Sequence, residues 1–561
     1  MPYDDLFIRR ELPANGRAGQ SMGVISFLFG RSWTPLIVAG AAGLGSGLAS
    51  AGLIAVIGQV LSGSLQADLN LLWIFVPLAL TTLVTRVWSQ FVLIRVAHQT
   101  IFQLRMDLCQ RILATPLANL ERIGRAPLLA MLTDDVQAVF DAAQVVPYLI
   151  VNVVTLVGCL AYMGWISPLG VGLVVLFMGT GALLYYAFQR GAVRSLGKAR
   201  FWQDRLIDHF HGVTEGAKEL QLHAGRRSDY IDQSLRESAR EFHRAAIEGM
   251  NLYTIAGTWA QLLLVTVLGL FVFAFASWGV TTQGNVAAFG ITLLYMARPI
   301  DFVLQMLPAL GRARVALEKI ETLELQLASD SPTTSTTPPL ATWSSLELRG
   351  VEYTYITDSD EDRFRVGPID LIFRPGQIVF LIGANGSGKS TLAKLILGLY
   401  QPQAGEIRLD GQVITPDRIE WYRRHFTAIF SDLYLFRRLH GLESGHDLSA
   451  ARDYLRRLHL TEKVRLRDQT LEFPGLSQGQ RKRVALLMAY LEDRPIYLFD
   501  EWAADQDPHF RDVFYTKLLP ELKSRGKLVL IVSHDERYYA AADEVIKIDG
   551  GQAVRQNLHQ S

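Results

Sequence analysis

The sequence has little cysteine and almost no net charge. Its 561 residues include two cysteines, Cys109 and Cys159, which are too few for a disulfide framework and match no zinc-binding spacing. The 55 Lys and Arg residues nearly balance the 54 Asp and Glu residues, so the net charge of +1 gives no argument for nucleic-acid binding. We therefore expect packing roles for both cysteines and no nucleic acid as a partner.

A secretory signal is also missing. The first 30 residues mix Arg9, Arg10, Glu11 and Arg17 with polar residues, and no small-residue cleavage site follows a short apolar core. The apolar run that begins near Trp33 is too long for a signal peptide. We expect this run to be the first membrane span.

Long apolar runs are abundant in the first part of the chain. A helix needs about 20 apolar residues to cross a bilayer. Residues 262–276 show no polar stripe, which argues against the alternative of buried helices in a large soluble protein. The sequence predicts an all-α transmembrane domain at residues 1–328 with six spans, at about 34–61, 70–98, 143–165, 168–188, 249–279 and 283–310.

The distribution of Lys and Arg predicts the orientation of these spans. The short connections 62–69, 166–167 and 280–282 contain neither residue, whereas the segments 99–142 and 189–248 are long and basic. Because basic loops remain on the cytoplasmic side, we expect both long loops and both termini there. The loops look helical, and their tips, 120–129 and 214–222, are candidates for contact with a cytoplasmic domain; plain solvated loops are the alternative.

Several polar side chains fall inside the predicted spans. Such residues are costly in a bilayer and often mark a polar pathway, although an ion pair between helices or a residue at the end of a span is an equal alternative. These residues are Arg86, Asn152, Gln261, Arg298 and Asp301.

A Ser/Thr/Pro-rich linker, residues 329–345, separates the apolar part from an α/β pattern at residues 346–561. Segments 347–355, 377–381, 496–499 and 528–532 are predicted strands. Residues 383–390 match G-x-x-x-x-G-K-[ST] between a strand and a helix, which is the context that a phosphate-binding P-loop requires. Lys389 should reach the β- and γ-phosphates of ATP, and Ser390 should hold Mg²⁺. The candidate nucleotide-binding residues here are Gly383, Asn385, Gly386, Ser387, Gly388, Lys389, Ser390 and Thr391.

A second apolar strand ends in two carboxylates. Asp500 suits a magnesium ligand beside the P-loop, and Glu501 directly follows it. A general base must lie within hydrogen-bond reach of its proton, and Glu501 is the candidate to polarise the attacking water. Ser533 and His534 follow a further strand.

These residues, together with Leu476-Ser-Gln-Gly-Gln480, resemble the ATP-binding cassette (ABC) superfamily, and the resemblance covers nearly the whole chain. It implies that Ser477, Gly479 and Gln480 form the signature that contacts ATP bound to the opposite subunit. It also implies that His534 is the switch histidine, that Asp505 is the aspartate of the loop after the catalytic glutamate, and that Tyr355 stacks on adenine. Tyr353 is the alternative for the stacking role.

Six spans before one cassette resemble an exporter half-transporter of the type IV fold. One P-loop and one signature per chain imply a second copy, most simply in a C₂ homodimer, although a sister half is an alternative. The sequence is similar to the cyclic-peptide and siderophore exporter branch that includes the pyoverdine and syringomycin exporters. Three features contribute to this similarity: residues 367–371 after the acidic insertion 358–362, residues 428–436, and the signature continuation 480–487 with residues 500–508 after the second apolar strand.

The branch resemblance implies ATP-driven export of a small peptide-like substrate across the inner membrane. A lipid or multidrug exporter is the alternative within transporters, and an ATP-gated channel or a regulatory ABC protein is the alternative of another class. Ser431 departs from the family, because it stands where a magnesium-contacting glutamine is usual; Ser431 acting through water, or Asp432, would replace it. The short stretch from there to the signature puts the usual contacts to coupling helices in doubt.

Overall fold

The computed structural model describes residues 24–62, 69–275, 283–326, 340, 342–355, 364–440, 448–467 and 470–556. The chain divides into two compact units. The first consists of Met1–Leu108 and Leu129–Leu323, and the second of Cys109–Leu128 and Glu324–Ser561. A short segment from the first part of the sequence therefore belongs to the C-terminal unit.

The first part of the chain is helical. Its longest helix has 48 residues and, at about 1.5 Å per residue, is more than twice as long as a bilayer core is thick. The helices are α1 (Val24–Leu61), α2 (Leu72–Ala114), α3 (Leu117–Ile123), α4 (Arg125–Ala130), α5 (Val136–Ile166), α6 (Pro168–Glu215), α7 (Ala217–Leu222), α8 (Ala224–Asp229), α9 (Arg236–Leu270) and α10 (Gln283–Gln326).

Five helices within the described residues are long and apolar enough to cross a membrane. These segments are Gly40–Leu61, Leu69–Ala114, Arg125–Ile166, Pro168–Glu215 and Asn285–Leu323, and each overlaps one of the predicted spans. The remaining predicted span, 249–279, falls on α9 and a following π-helical turn, Phe271–Phe275, and its end lies outside the described residues. That span stays a prediction.

An apolar cluster forms the core of the helical unit around the stacked rings of Phe271 and Phe289, whose centroids are 3.6 Å apart. Cys159 is buried in this cluster, and both cysteines are free in the part of the chain that the structure describes. The packing role expected for Cys159 is confirmed.

Two of the polar residues of the spans, Asn152 and Asp301, have partners on their own helices. Asn152 donates to the Tyr148 carbonyl 2.7 Å away, one turn back on the same helix, and Asp301 accepts from Gln305. Arg86 and Arg298 are exposed on this unit, and the side chain of Gln261 lies outside the described side chains. The polar pathway stays a prediction.

The C-terminal unit contains two main sheets and a small hairpin within the described residues. The larger sheet has the order β12-β11-β3-β10-β9-β6, with all neighbours parallel except the β12 edge strand, and the smaller is antiparallel with the order β2-β1-β4-β5. The strands are β1 (Leu346–Thr354), β2 (Arg365–Phe373), β3 (Ile378–Ile382), β4 (Ala404–Leu409), β5 (Gln412–Val413), β6 (Phe426–Ile429), β7 (Arg465–Arg467), β8 (Thr470–Glu472), β9 (Ile496–Asp500), β10 (Leu528–Val532), β11 (Glu544–Asp549) and β12 (Gln552–Gln556).

The helices of this unit cover the larger sheet. They are α11 (Lys389–Ile396), α12 (Ile419–Arg423), α13 (Leu448–Arg457), α14 (Gln478–Glu492), α15 (Pro508–Val513) and α16 (Leu519–Ser524). Every residue of β3, β9 and β10 is buried. In β3, Phe380 joins one apolar core and its neighbours Val379 and Leu381 join the other, so both faces of the sheet are covered.

The adjacent strands β3, β10 and β9 run parallel, so their carboxyl ends lie at one edge. Residues 383–390 follow β3, Ser533 follows β10, and Asp500 ends β9. The three predicted motifs therefore meet at the edge where α/β sheets bind ligands.

Candidate functional site

The loop between β3 and α11 has a backbone that only glycine accommodates at its first position. Gly383 has φ +146°, and a Cβ there would lie 2.1 Å from the carbonyl oxygen of Ile548. Gly388, directly before α11, has a left-handed backbone with φ 107°. Beside these turns, the hydroxyl of Ser387 is buried and has no hydrogen-bond partner among the residues that the structure describes. A buried unpaired donor next to a helix N-terminus fits a phosphate group.

The Lys389 side chain lies against this loop and hydrogen-bonds to its main chain. Its side chain is 6% exposed, and its Nζ donates to the carbonyl oxygens of Gly383 at 2.9 Å and Ala384 at 2.8 Å. Burial lowers the pKa of Lys389, while the carboxylates of Glu501 and Asp500 oppose that shift. The ammonium group is therefore held over the loop, where bound phosphates would lie.

Asp500 is a buried carboxylate beside the loop. It is 6% exposed, and burial together with the neighbouring charge of Glu501 raises its pKa. The Ser431 hydroxyl donates to Asp500 over 3.4 Å, so Ser431 contacts the carboxylate directly. In the described residues no three His, Cys, Asp or Glu side chains cluster as a metal site, so a cation here would take most of its ligands from phosphate, water and hydroxyls such as that of Ser390.

Glu501 and His534 face each other across the same edge of the sheet. Their Oε1 and Nε2 atoms are 3.5 Å apart, and both side chains are about two-fifths exposed. They line a cavity of about 280 Å³ together with residues that include Arg511, Ser533 and Asp535. A carboxylate that is exposed to a cavity and paired with a histidine can accept a proton from a water bound there.

The signature segment begins α14 and is fixed by its own side chains. Ser477 is the N-cap: its Oγ accepts from the N–H of Gln480, and the Gln480 side chain accepts from the N–H of Ser477. Gln480 thus caps its own helix, while Ser477 is exposed.

A glycine is required at position 479 because another backbone approaches it. A Cβ on Gly479 would lie 2.6 Å from the carbonyl oxygen of Asp505, and Gln506 donates to the Gly479 carbonyl at 3.1 Å. The signature is therefore in contact with the loop that follows Glu501. Asp505 itself is an exposed member of that loop.

The two candidate tyrosines occupy different positions. The Tyr355 hydroxyl is 3.0 Å from the Thr391 hydroxyl on the helix that follows the P-loop. Tyr353 instead stacks on Tyr400, with ring centroids 4.7 Å apart. Tyr355 thus has a hydroxyl contact with the P-loop helix.

The helix α3 at the first predicted loop tip contacts the cassette. Leu117 and Ala118 pack against its core, and Glu121 forms a 2.8 Å ion pair with Lys394 on α11. Glu121 also accepts a short hydrogen bond from the Tyr400 hydroxyl, and burial together with this bond raises the pKa of Tyr400.

Arg125 lies 3.1 Å from Asp432, beside the unusual Ser431. The predicted contact of tip 120–129 with the cassette is thus present, and its role in coupling stays a prediction. Sequence patterns gave no signal for Lys394 or Tyr400, because their partner lies more than 270 residues away.

Comparison with known proteins gives the class. A family model described as ABC transporter matches residues 366–504, and the chain belongs to the ABC transporter family. It is an ATP-hydrolysing exporter half-transporter with apolar helices before a P-loop cassette.

Individual relatives cover nearly the whole chain. The chain is 34% identical over 520 residues to the ATP-binding protein SyrD of Pseudomonas syringae pv. syringae. This match covers 91% of this chain and 92% of the relative. It is 26% identical over 512 residues to the ATP-dependent lipid A-core flippase of Bordetella pertussis, covering 86% of this chain and 80% of the relative. The flippase of Alkalilimnicola ehrlichii is 25% identical over 552 residues, or 91% of each chain.

Proposed function

We propose that two copies of this chain form a homodimer in which each ATP lies between the P-loop of one copy and the signature of the other. The observation that supports this is that one chain has a complete hydrolytic set, Lys389, Asp500 and Glu501, and an exposed signature hydroxyl on Ser477. A second copy would use that hydroxyl, and two-fold symmetry satisfies both sites at once.

We propose the following roles for the side chains of this site. Lys389 and the loop N–H groups bind the phosphates, and Tyr355 stacks on adenine. Ser390 and Asp500 hold Mg²⁺, which neutralises phosphate charge when bound. Ser431 orients Asp500 through its hydroxyl. Glu501 accepts the proton of the attacking water, and His534 steadies that carboxylate.

Two further groups act across the proposed dimer. The signature residues Ser477 and Gly479 contact the γ-phosphate of the ATP bound to the other copy, and Gln480 holds the start of their helix. Asp505 lies in the loop that follows Glu501, and its carbonyl oxygen approaches Gly479. It can therefore link a change at the signature to a change at Glu501.

The transport cycle we propose exports substrate from the cytoplasm across the inner membrane. ATP binding closes the two cassettes and turns the spans outward, and hydrolysis resets them, provided that ATP binds the closed dimer much more tightly than the open one. The cassette and both termini lie on the cytoplasmic side, because the long loops are basic. We propose domain bounds of 1–328, 329–345 and 346–561, with α3 docked on the cassette.

The proposed substrate is a small peptide-like molecule: a cyclic peptide, a lipopeptide or a siderophore precursor. The similarity to the cyclic-peptide exporter branch supports this, as does the higher identity to SyrD than to the flippases. A lipid is the second candidate, because several relatives are named lipid A-core flippases.

The homodimer predicts a mass of two chains and an ATP-dependent cross-link between the two copies. Full-length Glu501→Gln protein with cysteines in place of the exposed residues Ala384 and Gln478 should form an ATP-dependent cross-link between position 384 of one copy and position 478 of the other. Full-length protein in detergent should have the mass of two chains by light scattering. A single-chain mass in ATP and Mg²⁺, with no cross-link above the ADP background, would refute the homodimer.

The substrate proposal predicts stimulation of ATP hydrolysis. In proteoliposomes, cyclic peptides, lipopeptides and siderophore precursors are expected to raise the rate of phosphate release, and inside-out vesicles should accumulate the active compound against its gradient. Linear peptides of the same composition are the control. Stimulation by lipid A-core alone would support the lipid alternative, and downhill movement alone would indicate a channel.

A further inference from the structure

Lys482 is a buried lysine on the signature helix to which the sequence patterns assign no role. It lies on α14, and its side chain is 2% exposed. Its Nζ donates to the main-chain carbonyl of Glu501 at 2.6 Å and lies 2.6 Å from a carboxylate oxygen of Asp505. The indole N–H of Trp502 donates to the carbonyl of Lys482 at 2.8 Å.

Stability alone gives no reason for a lysine here. A buried ammonium group loses its hydration, and a well-packed apolar residue of similar volume is often at least as stabilising as a buried ion pair. Lysine is among the residues that are rarely buried unless paired. Both partners of Lys482 lie in the segment that begins with the proposed catalytic base, so its specific contribution is to the geometry of that segment.

The backbone of Glu501 needs such support. Glu501 has φ 51° and ψ 33°, in the left-handed region that a residue other than glycine adopts at a cost in free energy. Its N–H donates to the Val532 carbonyl at 3.0 Å, and its carbonyl accepts from Ala504 at 3.3 Å. The bond from Lys482 is the shorter of the two to that carbonyl, and it fixes the peptide plane from which the Glu501 side chain projects.

We infer that Lys482 is a positioning residue for hydrolysis: it holds the Glu501 carbonyl and the Asp505 carboxylate so that the Glu501 side chain is aimed at the attacking water. Because Lys482 lies five residues after Ser477 on the same helix, it ties the signature to the catalytic segment of its own chain. The inference rests on the proposed role of Glu501 as the base.

The cassette contains a matched control for this arrangement. Lys527 also donates from Nζ to the carbonyl of a left-handed acidic residue, Asp493, at 3.1 Å, and pairs with its carboxylate at 3.0 Å. The Lys527 side chain is 14% exposed. Lys527 lies just before β10, at the end of that strand opposite to Ser533. Lys527 makes the same two kinds of contact as Lys482, although Arg525 also pairs with Asp493, and it lies one strand length from the catalytic edge.

The test compares Lys482→Met, Lys482→Arg and Lys527→Met in the full-length reconstituted protein. A small displacement of a catalytic group lowers turnover by up to about 100-fold. We therefore expect Lys482→Met to lower kcat about 10- to 100-fold, with KM and the Kd for a fluorescent ATP analogue within about threefold of the parent. Lys482→Arg should recover part of kcat. Lys527→Met should lower the melting temperature and leave kcat within about twofold.

Several outcomes would overturn the inference. They are an unchanged kcat in Lys482→Met, a rise in KM at constant kcat, or a kcat loss in Lys527→Met as large as that in Lys482→Met. If Lys482→Met does not fold, Lys482→Gln takes its place, because its shorter, uncharged amide keeps N–H donors but loses the ion pair with Asp505, and the same limits apply. Glu501→Gln separates the two hypotheses: full hydrolysis by that variant refutes the base role, whereas a dead Glu501→Gln beside an unaffected Lys482→Met refutes only the positioning role.

Discussion

Replacing Glu501 with glutamine is expected to lower ATP hydrolysis by about 10²- to 10⁴-fold while ATP binding is retained. The amide has the size of the carboxylate but cannot accept the proton of the attacking water. The main-chain contact from Lys482 to residue 501 does not involve the replaced atoms, so the local backbone should persist. The measurements are phosphate release at saturating ATP and the Kd of a fluorescent ATP analogue.

Glu536→Gln is the matched control for this prediction. Glu536 is exposed and lies two residues beyond His534, so the substitution changes the same charge near the site without touching the proposed base. It should hydrolyse ATP at about the parent rate. Hydrolysis by Glu501→Gln that equals that of the control would remove Glu501 from the base role.

Replacing Lys389 with methionine is expected to weaken ATP binding about 100-fold or more, because each hydrogen bond to a charged group contributes about 1.5–3 kcal/mol and the ammonium can make more than one. The change also removes the two bonds from Nζ to the carbonyl oxygens of Gly383 and Ala384. Equilibrium titration with ATP measures the loss directly.

Lys517→Met controls for the loss of one positive charge from the cassette, because Lys517 is exposed on the short helical segment that follows α15. Its Kd should stay close to that of the parent. A Lys389→Met protein that binds ATP as tightly as this control would contradict the phosphate-binding role.

The sequence predicted the cassette closely because its signals are local. The predicted strand 528–532 has the bounds of β10, and the predicted strands 347–355, 377–381 and 496–499 differ from β1, β3 and β9 by one residue. Parallel strands that are buried on both faces have nearly continuous apolar sequences. The glycines, lysine and serine of the P-loop have a fixed spacing that can be recognised from the sequence alone.

The contacts that a single sequence could not supply are those between distant residues. Nothing near Lys482 shows that its side chain reaches Glu501, because that contact depends on how α14 packs against the end of β9. The different surroundings of Tyr353 and Tyr355 likewise depend on Tyr400, whose ring stacks face to face on Tyr353 and meets Tyr355 edge to face. The predicted span 249–279 was inferred from its apolar composition, and its end lies outside the described residues.

The Tyr400 side chain connects α3 to Tyr353 and Tyr355, the two candidates for adenine stacking. Its hydroxyl bonds to Glu121 on α3, and its ring stacks on Tyr353, which in turn meets Tyr355 edge to face. The chain joins α3 to the long apolar helices α2 and α5, and under the proposed adenine role of Tyr355 these three rings would connect α3 to the nucleotide site. Thermodynamic linkage between two binding sites is reciprocal. A transported molecule that shifts α3 and thereby changes the affinity for ATP must have its own affinity changed by ATP by the same factor. An ATP titration in the presence of a compound would then detect a transported molecule before any movement across the membrane is measured.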